Sequence, residues 1–92
     1  MPVIVHLSGH LKPFTGGTVE VALAGEFDTV ADVLDELWGR HAALRDRVLN
    51  ETGEIRQHVN IFAGSDDIKR RDGLATKLSV GELHIFNAVS GG

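Results

Sequence analysis

The feature that most limits how this chain can fold is a single amphipathic helical pattern between two groups of alternating segments. Apolar residues recur three and four positions apart along the helical segment, at Val30, Val33, Leu34, Leu37 and Trp38. Thr29 suits the N-cap, and Asp32 three residues later forms a capping-box variant. We therefore predict a helix over residues 30–41, with Trp38 as a core anchor.

Short alternating segments on both sides of this helix predict β-strands over residues 3–7, 18–24, 59–63 and 83–87. We expect a loop over residues 8–17, one short helical turn near Leu44 and Val48, and a turn over residues 64–67. Ile68 is expected to begin a short edge segment. This order predicts an α+β fold, the ubiquitin-like β-grasp, in which a mixed sheet of four to five strands packs on one main helix.

Composition narrows the function classes. A chain of 92 residues supports one domain, for which we expect a β-grasp body over residues 1–86 and an extended tail over residues 87–92. Cysteine is absent, which excludes disulfides, thiolate metal sites and a cysteine nucleophile. The formal net charge of −4 argues against nucleic acid as a partner. No segment resembles a leader or a membrane span, so we expect no membrane partner and a cytoplasmic protein.

Side chains that could carry catalysis or bind a metal form no convincing pattern. His6 and His10 lie in a strand and a proline-containing loop, so they lack the one-face geometry of a helical metal site. The other histidines, His41, His58 and His84, are far apart in the sequence. Adjacent aspartates at positions 66 and 67 are typical of a turn cap. We therefore expect neither catalytic residues nor a metal.

The C-terminal segment is the more informative candidate. The sequence finishes Asn-Ala-Val-Ser-Gly-Gly at residues 87–92, and its last two residues have no side chains. A diglycine can pass through a channel too narrow for other dipeptides and can adopt unusual backbone angles. Six extended residues span roughly 20 Å. We therefore expect the terminal carbonyl group, and not a side chain, to be the reacting group.

Three segments together resemble the ThiS/MoaD family of ubiquitin-like sulfur carriers. They are the helix start TVADVLDEL at residues 29–37, the VNIF strand at 59–62 with Asp67-Ile68 and GLATKLSVGE at 73–82, and AVSGG at 88–92. The loop LKPFTGG at residues 11–17 and the run GLAT at 73–76 are most similar to the CysO-type branch, which supplies sulfide for cysteine synthesis. Family members often have a proline before the Ala-Val tail, where this chain has Phe86-Asn87. Without that proline the backbone N–H is restored and φ is freer.

The resemblance implies a sulfur carrier. A partner enzyme resembling ubiquitin-activating enzymes would use ATP to adenylate the Gly92 carboxylate, and a persulfide or sulfide would then give a thiocarboxylate. Gly91 would provide clearance, and Ala88, Val89 and Ser90 would lie against the partner's channel. The protein itself would be a co-substrate with no bound cofactor. Its sulfur acceptor would be a synthase, with cysteine synthesis favoured over thiazole, molybdopterin or secondary-metabolite synthesis, and a metallopeptidase would free the product.

Two questions remain open in the sequence. Phe14, Phe62 and Phe86 are candidates for an apolar partner-docking surface, with core packing as the rival interpretation. The function also has two alternatives. One is a ubiquitin-like modifier conjugated through Gly92 to lysines, and the other is a β-grasp binding module without acyl chemistry.

Overall fold

The computed structural model describes residues 2–87, which form one mixed sheet with helices packed on one of its faces. The predicted α+β β-grasp architecture is confirmed. The five strands are β1 (Val3–Leu7), β2 (Glu20–Leu23), β3 (Val59–Ala63), β4 (Asp66–Asp67) and β5 (Glu82–Asn87). The two α-helices are α1 (Val30–Arg40) and α2 (Ala42–Val48), and the three 3-10 helices are Gly9–Phe14, Ile68–Arg70 and Gly73–Ala75.

The order of the strands across the sheet is β2-β1-β5-β3-β4. The first and last strands lie side by side at its centre and are parallel, while the other neighbouring pairs are antiparallel. In this register His6 lies opposite His84, and Phe62 lies opposite His84 from the other side. Successive side chains alternate between the two faces of a strand, so this register fixes which residues share a face.

The core lies between the inner face of the sheet and the helices. The strands contribute three wholly buried side chains, those of Val5, Leu83 and Ile61. Helix α1 contributes Leu37, which is wholly buried, and Leu34, which is 1% exposed. Burying one such side chain contributes about 1.5–3 kcal/mol. Trp38 is half-buried and packs against this core, as its helical spacing predicts.

Helix α1 begins at the predicted capping box. The Thr29 hydroxyl accepts a hydrogen bond from the Asp32 backbone N–H at 3.3 Å, and the Asp32 carboxylate accepts from the Thr29 N–H at 3.0 Å. The same carboxylate accepts from the Asp28 N–H at 3.1 Å. These backbone donors, that of Thr29 first, hold the pKa of Asp32 below its ordinary value of 3.8.

Local structure differs from the prediction at several connections. The predicted single helical turn after α1 is a second α-helix, held in place by the buried Leu44 and Val48. The predicted turn at residues 64–67 contains strand β4, and Ile68 begins a 3-10 helix and not an edge segment. Wholly buried Ile68 explains this difference, because the chain must leave the sheet edge to insert that side chain into the core. The predicted loop over residues 8–17 contains the 3-10 helix Gly9–Phe14, which Leu11 anchors in the core.

Strand β5 includes Asn87, which the predicted division into a body over residues 1–86 and a tail over residues 87–92 assigns to the tail. Asn87 lies opposite Val59 in the sheet. Residues 88–92 lie outside the described residues, and the division stays a prediction. Among residues 2–87, no helix is long and apolar enough to cross a membrane.

Candidate functional site

The outer face of the sheet, opposite the helices, carries the candidate site. Alternation in β1, β5 and β3 directs their buried residues inward and leaves a second set on the outside. That outer set comprises Glu20 and Ala22 of β2, Ile4 and His6 of β1, Glu82, His84 and Phe86 of β5, and Asn60 and Phe62 of β3. No helix of the described chain packs on this face against the three central strands, because the helices share the core on the other side.

Two of the predicted phenylalanines form an apolar patch on this face. The Phe62 and Phe86 rings lie 5.5 Å apart between centroids, at an angle of 35°. Phe86 is 36% exposed, and Phe62 is half-buried. Aromatic pairs in this distance range attract each other beyond their buried area. The patch therefore offers a partner a preformed apolar surface.

Phe14, the third predicted member of the surface, lies elsewhere. It ends the first 3-10 helix and packs against the core on the helix side of the sheet. The Arg47 guanidinium of α2 covers its ring at 4.4 Å from the centroid. The rival interpretation, core packing, is therefore correct for Phe14, because the buried Leu11 draws its 3-10 helix inward.

Next to the phenylalanine patch lies a cluster that sequence reasoning missed. The His6 and His84 rings stack with centroids 4.6 Å apart and an interplanar angle of 11°. The Glu82 carboxylate reaches both rings, with one oxygen 3.3 Å from His6 Nε2 and the other 4.0 Å from His84 Nε2. A Glu20 oxygen lies 3.6 Å from His6 Nδ1. We call these four residues the histidine cluster.

Sequence analysis did not connect His6 with His84, which the fold brings together. Their distance in the sequence hides a direct cross-strand pairing, because β1 and β5 are the first and last strands and become neighbours only in the folded sheet. Two signals in the sequence pointed to the cluster. Glu82 and His84 are two residues apart in one strand, and so share a face, and the β-grasp topology pairs the first strand with the last.

The end of β5 leads toward the predicted reactive tail. Ala88, Val89, Ser90, Gly91 and Gly92, the residues assigned to clearance, docking and reaction, lie outside the described residues. A groove beside the strand end is lined by Arg47, Arg56, His58 and Asn87, among other residues. Arg56 is anchored there, because its Nε donates to the Asp46 carbonyl at 2.8 Å. The body thus presents a cationic rim where its last strand ends.

Comparisons with known proteins give a consistent result. No family model matches the chain. The chain is 32% identical over 95 aligned positions to the sulfur carrier protein CysO of Mycobacterium tuberculosis, with both proteins covered in full. It is also 37% identical over 75 positions to small archaeal modifier protein 1 of Haloferax volcanii, with 82% of each protein covered.

Solved structures agree with the sequence relatives. A chain in the crystal structure of the Amycolatopsis orientalis BexX/CysO complex matches with a TM-score of 0.84 at 28% identity, covering 98% of this chain and 99% of that one. The crystal structure of the Haloferax volcanii small archaeal modifier matches with a TM-score of 0.82 at 32% identity, covering both chains in full. The chain therefore belongs to the ThiS/MoaD family of ubiquitin-like β-grasp proteins, together with the CysO sulfur carriers and the small archaeal modifiers.

Proposed function

We propose that this protein is a sulfur carrier whose Gly92 carboxylate is activated by a partner enzyme and converted to a thiocarboxylate. The observation that carries the proposal is the full-length similarity to CysO, at 32% identity. The absence of cysteine supports it, because sulfur cannot be carried on a side-chain thiol of this chain. The protein acts as a co-substrate, and catalysis belongs to its partners.

The proposed chemistry has two steps. A carboxylate near pH 7 is ionised and a poor electrophile, so sulfide does not displace its oxygen directly. In the first step the Gly92 carboxylate attacks the α-phosphate of ATP, forming the acyl adenylate and releasing pyrophosphate. In the second step hydrosulfide attacks the acyl carbon, AMP leaves, and the thiocarboxylate forms. ATP binds to the partner, and no cofactor binds to the carrier.

The architecture supports a carrier role through its central strand. Strand β5 pairs with β1 on one side and β3 on the other, so hydrogen bonds on both edges hold it. It ends at Asn87, five residues before Gly92. Five residues reach at most about 17–18 Å. A rigid body that ends this close to the acyl group can remain outside the partner while Gly92 enters a buried site.

We propose that the Phe62–Phe86 patch is the docking surface for the adenylating enzyme and, in turn, for the sulfur acceptor. Exposed aromatic side chains are enriched among residues that dominate binding energy. The patch lies on the strand that leads to the tail, so a partner seated on it is within reach of Gly92. Ala88, Val89, Ser90 and Gly91 would line the partner's channel. The match to a chain in the BexX/CysO complex supports a protein partner.

Among acceptors we favour a synthase that forms cysteine. In this route the thiocarboxylate sulfur displaces the leaving group of an activated serine derivative and forms a thioester. The Gly92 acyl group then moves from sulfur to the cysteine amine, which frees the thiol, and a metallopeptidase hydrolyses the resulting amide bond. The similarity to CysO supports this choice. Thiazole, molybdopterin and secondary-metabolite synthases are the competing acceptors, and none of them would leave a cysteinyl adduct on the carrier.

Intact-mass spectrometry tests the proposal. The protein is incubated with ATP, sulfide and a recombinant ubiquitin-activating-like enzyme from the same organism. We expect a mass increase equal to the exchange of one oxygen for sulfur, and we expect no increase for the variant lacking Gly92. Adding the synthase and an activated serine derivative should then give a cysteinyl adduct. An unchanged mass with every adenylating enzyme of that organism would contradict the carrier function.

The similarity to small archaeal modifier protein 1, at 37% identity, supports a second candidate function. In this alternative the activated Gly92 carbonyl forms an isopeptide bond with target lysines. The two functions separate in cell extracts, because a modifier gives a ladder of conjugates that resists reducing agents, whereas a carrier gives the sulfur-containing free protein.

A further inference from the structure

We propose that the histidine cluster is a divalent cation site of the zinc class, with His6 Nε2, the Glu82 carboxylate and His84 Nε2 as ligands. This site is separate from the acyl chemistry and does not rest on the proposed function. Ligand atoms of the three residues all lie within 4.8 Å of one another. Two imidazoles and one carboxylate form a donor set that zinc binds in proteins, with the fourth position open.

The ligand atoms lie at separations close to those of a metal site, but the stacked His6 and His84 rings, 4.6 Å apart at 11°, must turn to direct both Nε2 lone pairs at one ion. Zinc lies about 2.0–2.2 Å from nitrogen and oxygen ligands, so two ligands of a tetrahedral site are about 3.3 Å apart. His6 Nε2 and the Glu82 oxygen are 3.3 Å apart before any ion binds. The other Glu82 oxygen is 4.0 Å from His84 Nε2. These side chains are 32%, 56% and 39% exposed for His6, Glu82 and His84, so they have room to rotate.

Carboxylates flank both ring nitrogens of His6. Carboxylate oxygens approach both of its ring nitrogens, Glu20 at 3.6 Å from Nδ1 and Glu82 at 3.3 Å from Nε2. A metal bound by Nε2 and Glu82 would leave Nδ1–H directed at Glu20. Such a carboxylate behind a ligating histidine fixes the tautomer and the ring orientation.

The backbone holds the ligands in register. His6 and His84 lie directly opposite each other on the two central strands, and Glu82 precedes His84 by two residues on the same face. The strands are hydrogen-bonded on both sides, and wholly buried residues lie next to the ligands: Val5 beside His6 in β1, and Leu83 between Glu82 and His84 in β5. Sites on strands are held more tightly than sites on loops. The fourth position faces solvent and would hold water.

Isothermal titration of the purified full chain with zinc chloride tests the site. We expect one zinc ion per chain and a loss of affinity of at least about tenfold for His84→Gln or Glu82→Gln. Glu20→Gln, which removes the carboxylate behind His6, should weaken binding by about 10–100-fold. His58→Gln is the matched control, because His58 is an exposed histidine outside the cluster, and it should bind like the original chain.

Cobalt(II) gives a second readout that does not depend on affinity. Coordination geometry is diagnostic for a transition metal, so the original chain and His58→Gln should show the intense visible absorption of tetrahedral cobalt, and His84→Gln should not. Thermal unfolding without metal should be alike in all variants, because the altered side chains are exposed. The proposal would be overturned if His84→Gln bound zinc as tightly as the original chain. It would also be overturned if His58→Gln lost as much zinc affinity as His84→Gln.

Discussion

At the scale of single residues, replacing Phe86 should weaken partner docking much more than it weakens folding. Its ring is 36% exposed and makes one aromatic contact, with Phe62. We expect Phe86→Ala to lower the free energy of unfolding by only about 1–2 kcal/mol, the value of a lost aromatic pair and some burial. The KM of the adenylating enzyme for this protein should rise at least tenfold, as for an interface hot spot of about 1.4 kcal/mol or more.

The rate of pyrophosphate release, measured at several concentrations of this protein, gives that KM. Val19→Ala is the control, since Val19 is an equally exposed apolar residue at 38% that lies outside the patch. We expect the control to leave KM unchanged. If Phe86→Ala and Val19→Ala give the same KM, the patch does not dock the enzyme.

For Leu34 we expect the opposite, because its replacement should weaken folding and leave the acyl chemistry unchanged. Leu34 is 1% exposed on the core side of α1, and the sheet lies between it and the outer face. Leu34→Ala should cost about 2–5 kcal/mol of unfolding free energy, because it leaves a cavity in the core. Urea unfolding measures the loss. At a temperature where the variant is folded, the fraction converted to thiocarboxylate should match that of the original chain, and a reduced fraction would mean that the core shapes the acyl end.

At the scale of elements, the capping box of α1 gives a stability prediction. The Thr29 hydroxyl accepts a hydrogen bond from the Asp32 N–H of the first turn, which also donates to the Thr29 carbonyl. We expect Thr29→Ala to cost about 1 kcal/mol in urea unfolding. Thr18→Ala is a suitable control, since Thr18 is exposed and outside every helix. A cost no greater than that of the control would mean that the cap does not stabilise the helix in solution.

The same cap predicts a pH dependence. The pKa of Asp32 is below its ordinary value of 3.8, because backbone N–H groups stabilise its charged form. A lowered folded-state pKa stabilises the protein above the unfolded value, and this contribution is lost as the pH falls through the folded value. The melting temperature of the original chain should therefore exceed that of Asp32→Asn at neutral pH, and the difference should shrink below pH 3.8. A difference independent of pH would contradict the charged cap.

The elements that sequence patterns predicted are those with a strong local signal. Helix α1 was predictable from its apolar spacing and its cap, and β1 and β3 from alternation in β-branched residues. Strand β4 was not predictable, because two aspartates at a sheet edge have neither alternation nor apolar content. Helix α2 was underestimated, because its N-cap is His41, which makes no side-chain cap hydrogen bond and is not a residue type that marks a helix start.

The candidate site was predictable only in part, for a reason of topology. Phe62 and Phe86 were selected from their residue type, but Phe14 could not be separated from them without knowing that its 3-10 helix turns inward. His6 and His84 were missed because their pairing depends on the register of two strands from opposite ends of the chain. Register across a parallel pair follows from tertiary packing and not from a local turn.

At the scale of the whole molecule, we expect a stable folded body and a reacting group at Gly92. Within residues 2–87, the core fills one side of the sheet, and the patch and the histidine cluster occupy the other. Removal of Gly92 should therefore leave the melting temperature nearly unchanged. We therefore expect loss of Gly92 to remove the chemistry and keep the structure, and Leu34→Ala to weaken the structure and keep the chemistry.

The measurement that tests this account most directly is the intact mass of the protein after incubation with its adenylating enzyme, ATP and sulfide. For the full chain we predict the exchange of one oxygen for one sulfur, and for the chain without Gly92 an unchanged mass with an unchanged melting temperature. Sulfur incorporation that persists after removal of Gly91 and Gly92 would contradict the account, because the acyl group would then not be the reacting group.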